Sequence, residues 1–144
     1  MSRSLVLLAV LLVSAAGSAR AQDAAVDSLA LARQYTAWLY AGEVDSLLAH
    51  SNEAMQQAYV EDGTYTAVHN IIAERAGMEL SPVEETWKLR NGRCQYWRTA
   101  SFELAPEPIV IRWVIDPDGR IDGLGAGPLS QAPPVEAETC EAQS

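Results

Sequence analysis

The chain has 144 residues, a formal net charge of −9, 49% hydrophobic residues, two cysteines and two histidines. That length closes one hydrophobic core and leaves no room for a second domain. The acidic balance excludes a nucleic-acid binder, and histidines 19 residues apart, His50 and His69, with no cysteine beside them, give no convergent set of metal ligands.

The first predicted element is an export signal over residues 1–21. Arg3 supplies its positive start, Leu5 to Val13 an apolar run, and Ala19-Arg20-Ala21 the small-x-small pattern of a cleavage site. The run is much shorter than the ~20 residues that cross a bilayer, so the expectation is cleavage and a periplasmic or secreted product with no membrane contact. Neither a twin-arginine pair nor a cysteine at the cleavage point accompanies it. Cleavage leaves 123 residues with 19 acidic against eight basic side chains. Such a surface keeps an exported protein soluble and repels anionic lipid.

Helical spacing governs the next stretch. Asp23 is a candidate N-cap, and Leu31, Tyr35, Trp38 and Leu39 recur on one face until Gly42 ends the helix. A short second helix over Glu43 to His50 buries Val44, Leu47 and Leu48. Ser51 or Asn52 caps a third, with Met55, Ala58 and Tyr59, which Asp62-Gly63 breaks. Thr64 caps a fourth, whose Tyr65, Val68 and Ile72 share a face, and Gly77 stops it.

From Ser81 the period becomes two. Val83, Glu85, Trp87 and Leu89 alternate with polar neighbours, Asn91-Gly92 makes a hairpin turn, and a second strand runs from Cys94 to Leu104 with Tyr96, Ala100 and Phe102 on one face. Pro106-Glu107-Pro108 turns the chain into Ile109 to Ile115. Asp116-Pro117-Asp118-Gly119 leads to a last strand from Arg120 to about Gly125. The fold class is α+β: N-terminal helices packed on a curved four-stranded antiparallel sheet, one domain over residues 22–129. Residues 130–144, rich in Pro, Ala and Glu, read as a flexible C-terminal tail. Cys94 and Cys140 are the only cysteines, and an oxidising compartment favours their pairing over free or intermolecular thiols.

Ala41-Gly42-Glu43-Val44-Asp45-Ser46-Leu47 after a long first helix resembles the helix junction of the nuclear-transport-factor-2-like, or cystatin-like, superfamily. Tyr96 to Glu103, Ile109 to Ile115, and Asp118-Gly119-Arg120-Ile121-Asp122-Gly123-Leu124 are similar to a branch of short exported domains of unknown function whose members often stand beside serine hydrolases. The resemblance covers residues 24 to 129. It implies a sheet wrapped on helices into a cone, and it carries over no catalytic residue.

Some members of that superfamily are isomerases, dehydratases or epoxide hydrolases with an acid and a base inside the cone. Glu85 is the ionisable group on an otherwise apolar strand face here, and enclosure there would raise its pKa toward that of a general base. The opposite reading is a carboxylate in water at the mouth of the cone, for which Glu85→Gln is almost silent. Tyr35, Tyr59, Trp87 and Tyr96 are candidate ligand-binding residues, and each equally suits a core. Trp97 alternates with Gln95, Thr99 and Ser101, which predicts an exposed ring or one covered by a partner or by the tail. No Cys-x-x-Cys, Gly-x-Ser-x-Gly, phosphate loop or dinucleotide fingerprint occurs. The expectation is an exported, non-catalytic domain without metal or cofactor. Its partner is an unknown small molecule or a protein, and a homo-oligomer stays open. The pocket-enzyme reading with Glu85 is the alternative.

Overall fold

The computed structural model describes residues 27–142, so the expected export signal and Asp23 lie outside the described residues. Helix α1 (Ser28–Ala41) is capped by the Asp27 side chain, which accepts from the Ala30 N–H. It buries Ser28, Ala32, Tyr35 and Leu39, residues four, three and four apart, together with Thr36, and it ends at Gly42. Helices α2 (Val44–Ala49) and α3 (Glu53–Asp62) follow, and the Asn52 side chain accepts from the Met55 N–H to start the latter. Ser51, the other candidate cap, is taken up by the Leu47 carbonyl and the Tyr65 hydroxyl. Helix α4 (Thr64–Ile71) starts after Gly63 with no side-chain cap from Thr64, then widens into a π-turn over Ile72–Ala76 before Gly77.

The four strands β1 (Glu84–Arg90), β2 (Arg93–Ala100), β3 (Ile109–Ile115) and β4 (Ile121–Pro128) form an antiparallel meander in chain order. Trp87 lies opposite Tyr96, Tyr96 opposite Trp113, and Trp113 opposite Leu124, which sets one large side chain from every strand on one face. Helix α1 packs there: the Tyr35 and Trp113 rings are 5.8 Å apart, and the Trp113 indole donates to Thr36 Oγ1 at 2.9 Å. Tyr35, Leu39, Leu47, Tyr65, Tyr96, Ile111, Trp113 and Ile121 are buried together, so the chain's own side chains fill the space between helices and sheet. Strand β2 stops at Ala100 rather than Leu104. Phe102 instead pairs with Glu79, and the Leu80 N–H donates to the Ser101 carbonyl.

The segment beyond β4, expected to be flexible, makes a short 3₁₀ turn at Leu129–Gln131 and then reaches the free edge of β1. The Leu89 N–H donates to the Ala137 carbonyl, the Glu136 N–H to the Leu89 carbonyl, and the Cys140 N–H to the Trp87 carbonyl. A Cys94–Cys140 disulfide anchors it. The attachment is made by main-chain groups that an edge strand leaves unpaired, so the segment's low hydrophobicity does not oppose it. Trp97, on the sheet face away from the helices, is only 3% exposed within this chain. Among the described residues no helix is long and apolar enough to cross a membrane.

The β3–β4 turn shows why Gly119 stands where it does. Asp116 Oδ1 accepts from the N–H groups of Asp118 and Arg120, and Gly119 closes the turn at φ 80°. Its carbonyl accepts the buried Tyr35 hydroxyl, which ties the turn to α1. A branched side chain is strained at that φ and displaces the carbonyl. Gly119→Val is expected to lower the unfolding free energy by about 1–3 kcal/mol. An unchanged urea midpoint would contradict the role given to this turn.

Candidate functional site

The Asn91-Gly92 turn sets the β1–β2 register, and with it Glu85 opposite Arg98 on the helix-facing side. A guanidinium on a mostly apolar strand face needs anionic partners, and Arg98 has two. Its Nε and Nη2 donate to Glu79 at 2.8 and 2.6 Å, and its Nη1 donates to Glu85 at 2.9 Å. Arg33 on α1 reaches the same Glu85 with a bidentate pair, at 3.0 Å from Nε and 2.6 Å from Nη2. The Tyr96 hydroxyl donates to Glu85 Oε1 and the Tyr40 hydroxyl to Glu79 Oε2, each at 2.6 Å. Arg33, Tyr40, Glu79, Glu85 and Arg98 line an open cleft of about 470 Å³ between α1 and the start of β1.

This arrangement fixes the ionisation of the cleft. Hydrogen bonds from Arg33, helped by Tyr96 and by the charge of Arg98, outweigh desolvation and hold the Glu85 carboxyl at about 2. Burial alone would raise Glu79, but the donors Arg98 and Tyr40 reverse that and lower it. Tyr96 moves the other way, to about 12, through burial and its bond to the ionised Glu85. Arg33 is 56% exposed, so water screens its share, whereas the Arg98 side chain is 18% exposed and is the enclosed centre of the cluster.

Glu85 is therefore a carboxylate saturated with donors, neither a raised base nor a free group in water. The expectation that Glu85→Gln is nearly silent does not fit this geometry, because the amide loses the charge and one acceptor that three side chains use. Of the other candidates, Tyr96 touches Glu85 directly, and Trp87 stands edge-on to Tyr96 at 5.6 Å. Tyr35 is elsewhere, buried on the Gly119 carbonyl. Tyr59 lies between α3 and α4, stacked on Tyr65 at 6.0 Å, with its hydroxyl 3.4 Å from Thr66 Oγ1. His69 Nδ1 sits 2.9 Å from the Leu39 carbonyl, and His50 is exposed against the Trp38 ring at 4.8 Å. Arg33, Tyr40, Glu79 and Arg98 are the residues that sequence reasoning missed. One signal for Arg98 was available: it alternates with Tyr96 and Ala100 on the buried face of β2.

No protein-family model, curated protein or solved structure matches this chain.

Proposed function

We propose that the protein is an exported, non-catalytic binding domain of the nuclear-transport-factor-2-like, cystatin-like type, whose partner is a small molecule or another protein. One observation carries the reading against a pocket enzyme: Glu85 is held ionised at about 2 by Arg33, Tyr96 and Arg98. A general base for proton abstraction works best with a pKa near the operating pH and a lone pair free to receive the proton. Every donor around Glu85 opposes that, and the interior where such enzymes hold substrate is occupied here by Tyr35, Tyr96 and Trp113. Helices on one face of a four-stranded meander support the cone-type family. The small-x-small pattern at residues 19–21 and the Cys94–Cys140 disulfide support export to an oxidising compartment.

Turnover assays with epoxide-like and ketosteroid-like substrates, on the wild type and on Glu85→Gln, test the reading. The expected result is a rate equal to buffer for both proteins. Turnover by the wild type that disappears in Glu85→Gln would replace the binding domain with the enzyme.

A further inference from the structure

The sheet face away from the helices holds a second cluster with a different character. Three buried side-chain polar atoms have no hydrogen-bond partner among the described residues: Arg90 Nε, Gln95 Oε1 and Trp97 Nε1. All three side chains project from that one face of β1 and β2. Arg112 stands opposite Trp97 in the next strand, with its guanidinium carbon 5.4 Å from the centre of the indole ring. The guanidinium lies flat against Gly125, where even a methyl side chain would run into it. A buried donor left unpaired costs about as much as a lost hydrogen bond, so three in one patch point to a missing partner.

The charges say what that partner is. Arg90 and Arg112 have no acidic partner among the described residues, although the chain has 19 acidic groups. Of the carboxylates in the C-terminal segment along this edge, Glu136 is engaged by the Gly92 N–H and Glu138 by Lys88. Burial first, then the charge of Arg90, lowers the pKa of Arg112. Two guanidiniums on one sheet face with no carboxylate partner are stabilised by an anion taken from solvent.

We infer that Arg90, Trp97 and Arg112 form an oxyanion-binding site on the outer face of the sheet, for a ligand bearing a carboxylate or a phosphate. The inference deepens the binding reading and rests on it. Both arginines are half-buried, so the ligand meets the solvent side of their guanidiniums, and its oxygens reach the enclosed Arg90 and Trp97 N–H groups as the covering side chains shift. The Gln95 amide is held by its bond to the Arg90 carbonyl, which leaves Oε1 for a hydroxyl of the ligand or for a water. The Trp97 ring and Gly125 hold Arg112 flat, and a flat guanidinium presents its edge in the plane of a carboxylate.

The test is a titration of the purified, oxidised protein with sodium phosphate, sodium acetate and sodium chloride at equal ionic strength, read by the indole N–H signals in nitrogen-15 NMR spectra. The Trp97 signal is expected to shift saturably with phosphate or acetate but not with chloride, while those of Trp38, Trp87 and Trp113 stay in place. Whichever anion saturates separates a phosphate ligand from a carboxylate one. Arg90→Gln is expected to weaken the response by about tenfold to a hundredfold. Gly125→Ala keeps both charges, displaces Arg112 and should weaken it as well. A Trp97 signal that follows chloride as closely as the other anions, or a response unchanged in both variants, would overturn the site. Silence here removes the outer-face site alone, whereas Glu85-dependent turnover removes the binding reading as a whole.

Discussion

Cys140→Ser is expected to lower the unfolding free energy by about 4 kcal/mol, the value that chain entropy assigns to a cross-link spanning 46 residues. The loop it closes contains most of β2 and all of β3 and β4, so the unfolded chain of the variant gains freedom across nearly the whole sheet. Other contacts of the segment are small by comparison. Glu138 is 74% exposed in its pair with Lys88, and such a pair contributes little. Urea unfolding of the oxidised wild type, Cys140→Ser and the double variant with Cys94→Ser measures the effect. The two variants should agree with each other, because both lack the same cross-link. Stabilities within about 0.5 kcal/mol of wild type would show that the disulfide does not restrain the unfolded chain.

Arg98→Ala is expected to cost about 2–4 kcal/mol at neutral pH, less than the loss of one partner from a fully buried pair because the cleft stays partly solvated. Glu79 loses its bidentate partner and faces Glu85 with no cation between them, while the Tyr40 hydroxyl still donates to Glu79. Arg98→Lys keeps the charge but offers a point donor where a fork spans two carboxylates, so its cost should be intermediate.

Acid stability provides a second readout with a defined sign. Glu85 and Glu79 both titrate below the ordinary value of 4.5 in the folded protein. A depressed carboxyl adds stability that is fully present above its unfolded pKa and is lost as pH falls through the folded one. The wild type should therefore lose stability between about pH 4.5 and about pH 2. Arg98→Ala starts lower and should lose less over that window, because part of the interaction that acid removes is already absent. Parallel curves for the two proteins would contradict the assigned cluster.

The helices and the meander were legible because each is governed by local rules. Periodic apolar residues, Gly42, Asn52 and the Asn91-Gly92 and Asp118-Gly119 turns specify elements without reference to the rest of the chain. What escaped depends on contacts between elements. The end of β2 at Ala100 reflects the pairing of Phe102 with Glu79, a partner more than 20 residues earlier. The C-terminal segment has a disordered composition, and its position is set by unpaired backbone groups on β1, which composition does not count. The charged cleft was half readable. Counting back from Asn91-Gly92 places Arg98 opposite Glu85, so the pair follows from the turn alone. Arg33 and Glu79 join it only once α1 is packed on the sheet and the 76–80 segment lies beside 101–104. Glu85 therefore looked like a lone carboxylate on an apolar face, although five other side chains belong to its cluster.

The central claim is that this carboxylate is a structural anion, and its own titration tests that most directly. Carbon-13 NMR of the Glu85 side-chain carboxyl, followed from pH 7 downward in the oxidised protein, should show no change until the solution is well below pH 4, with a midpoint at about 2 unless acid unfolding intervenes first. A midpoint near neutrality would contradict the account and make Glu85 the base of an enzyme.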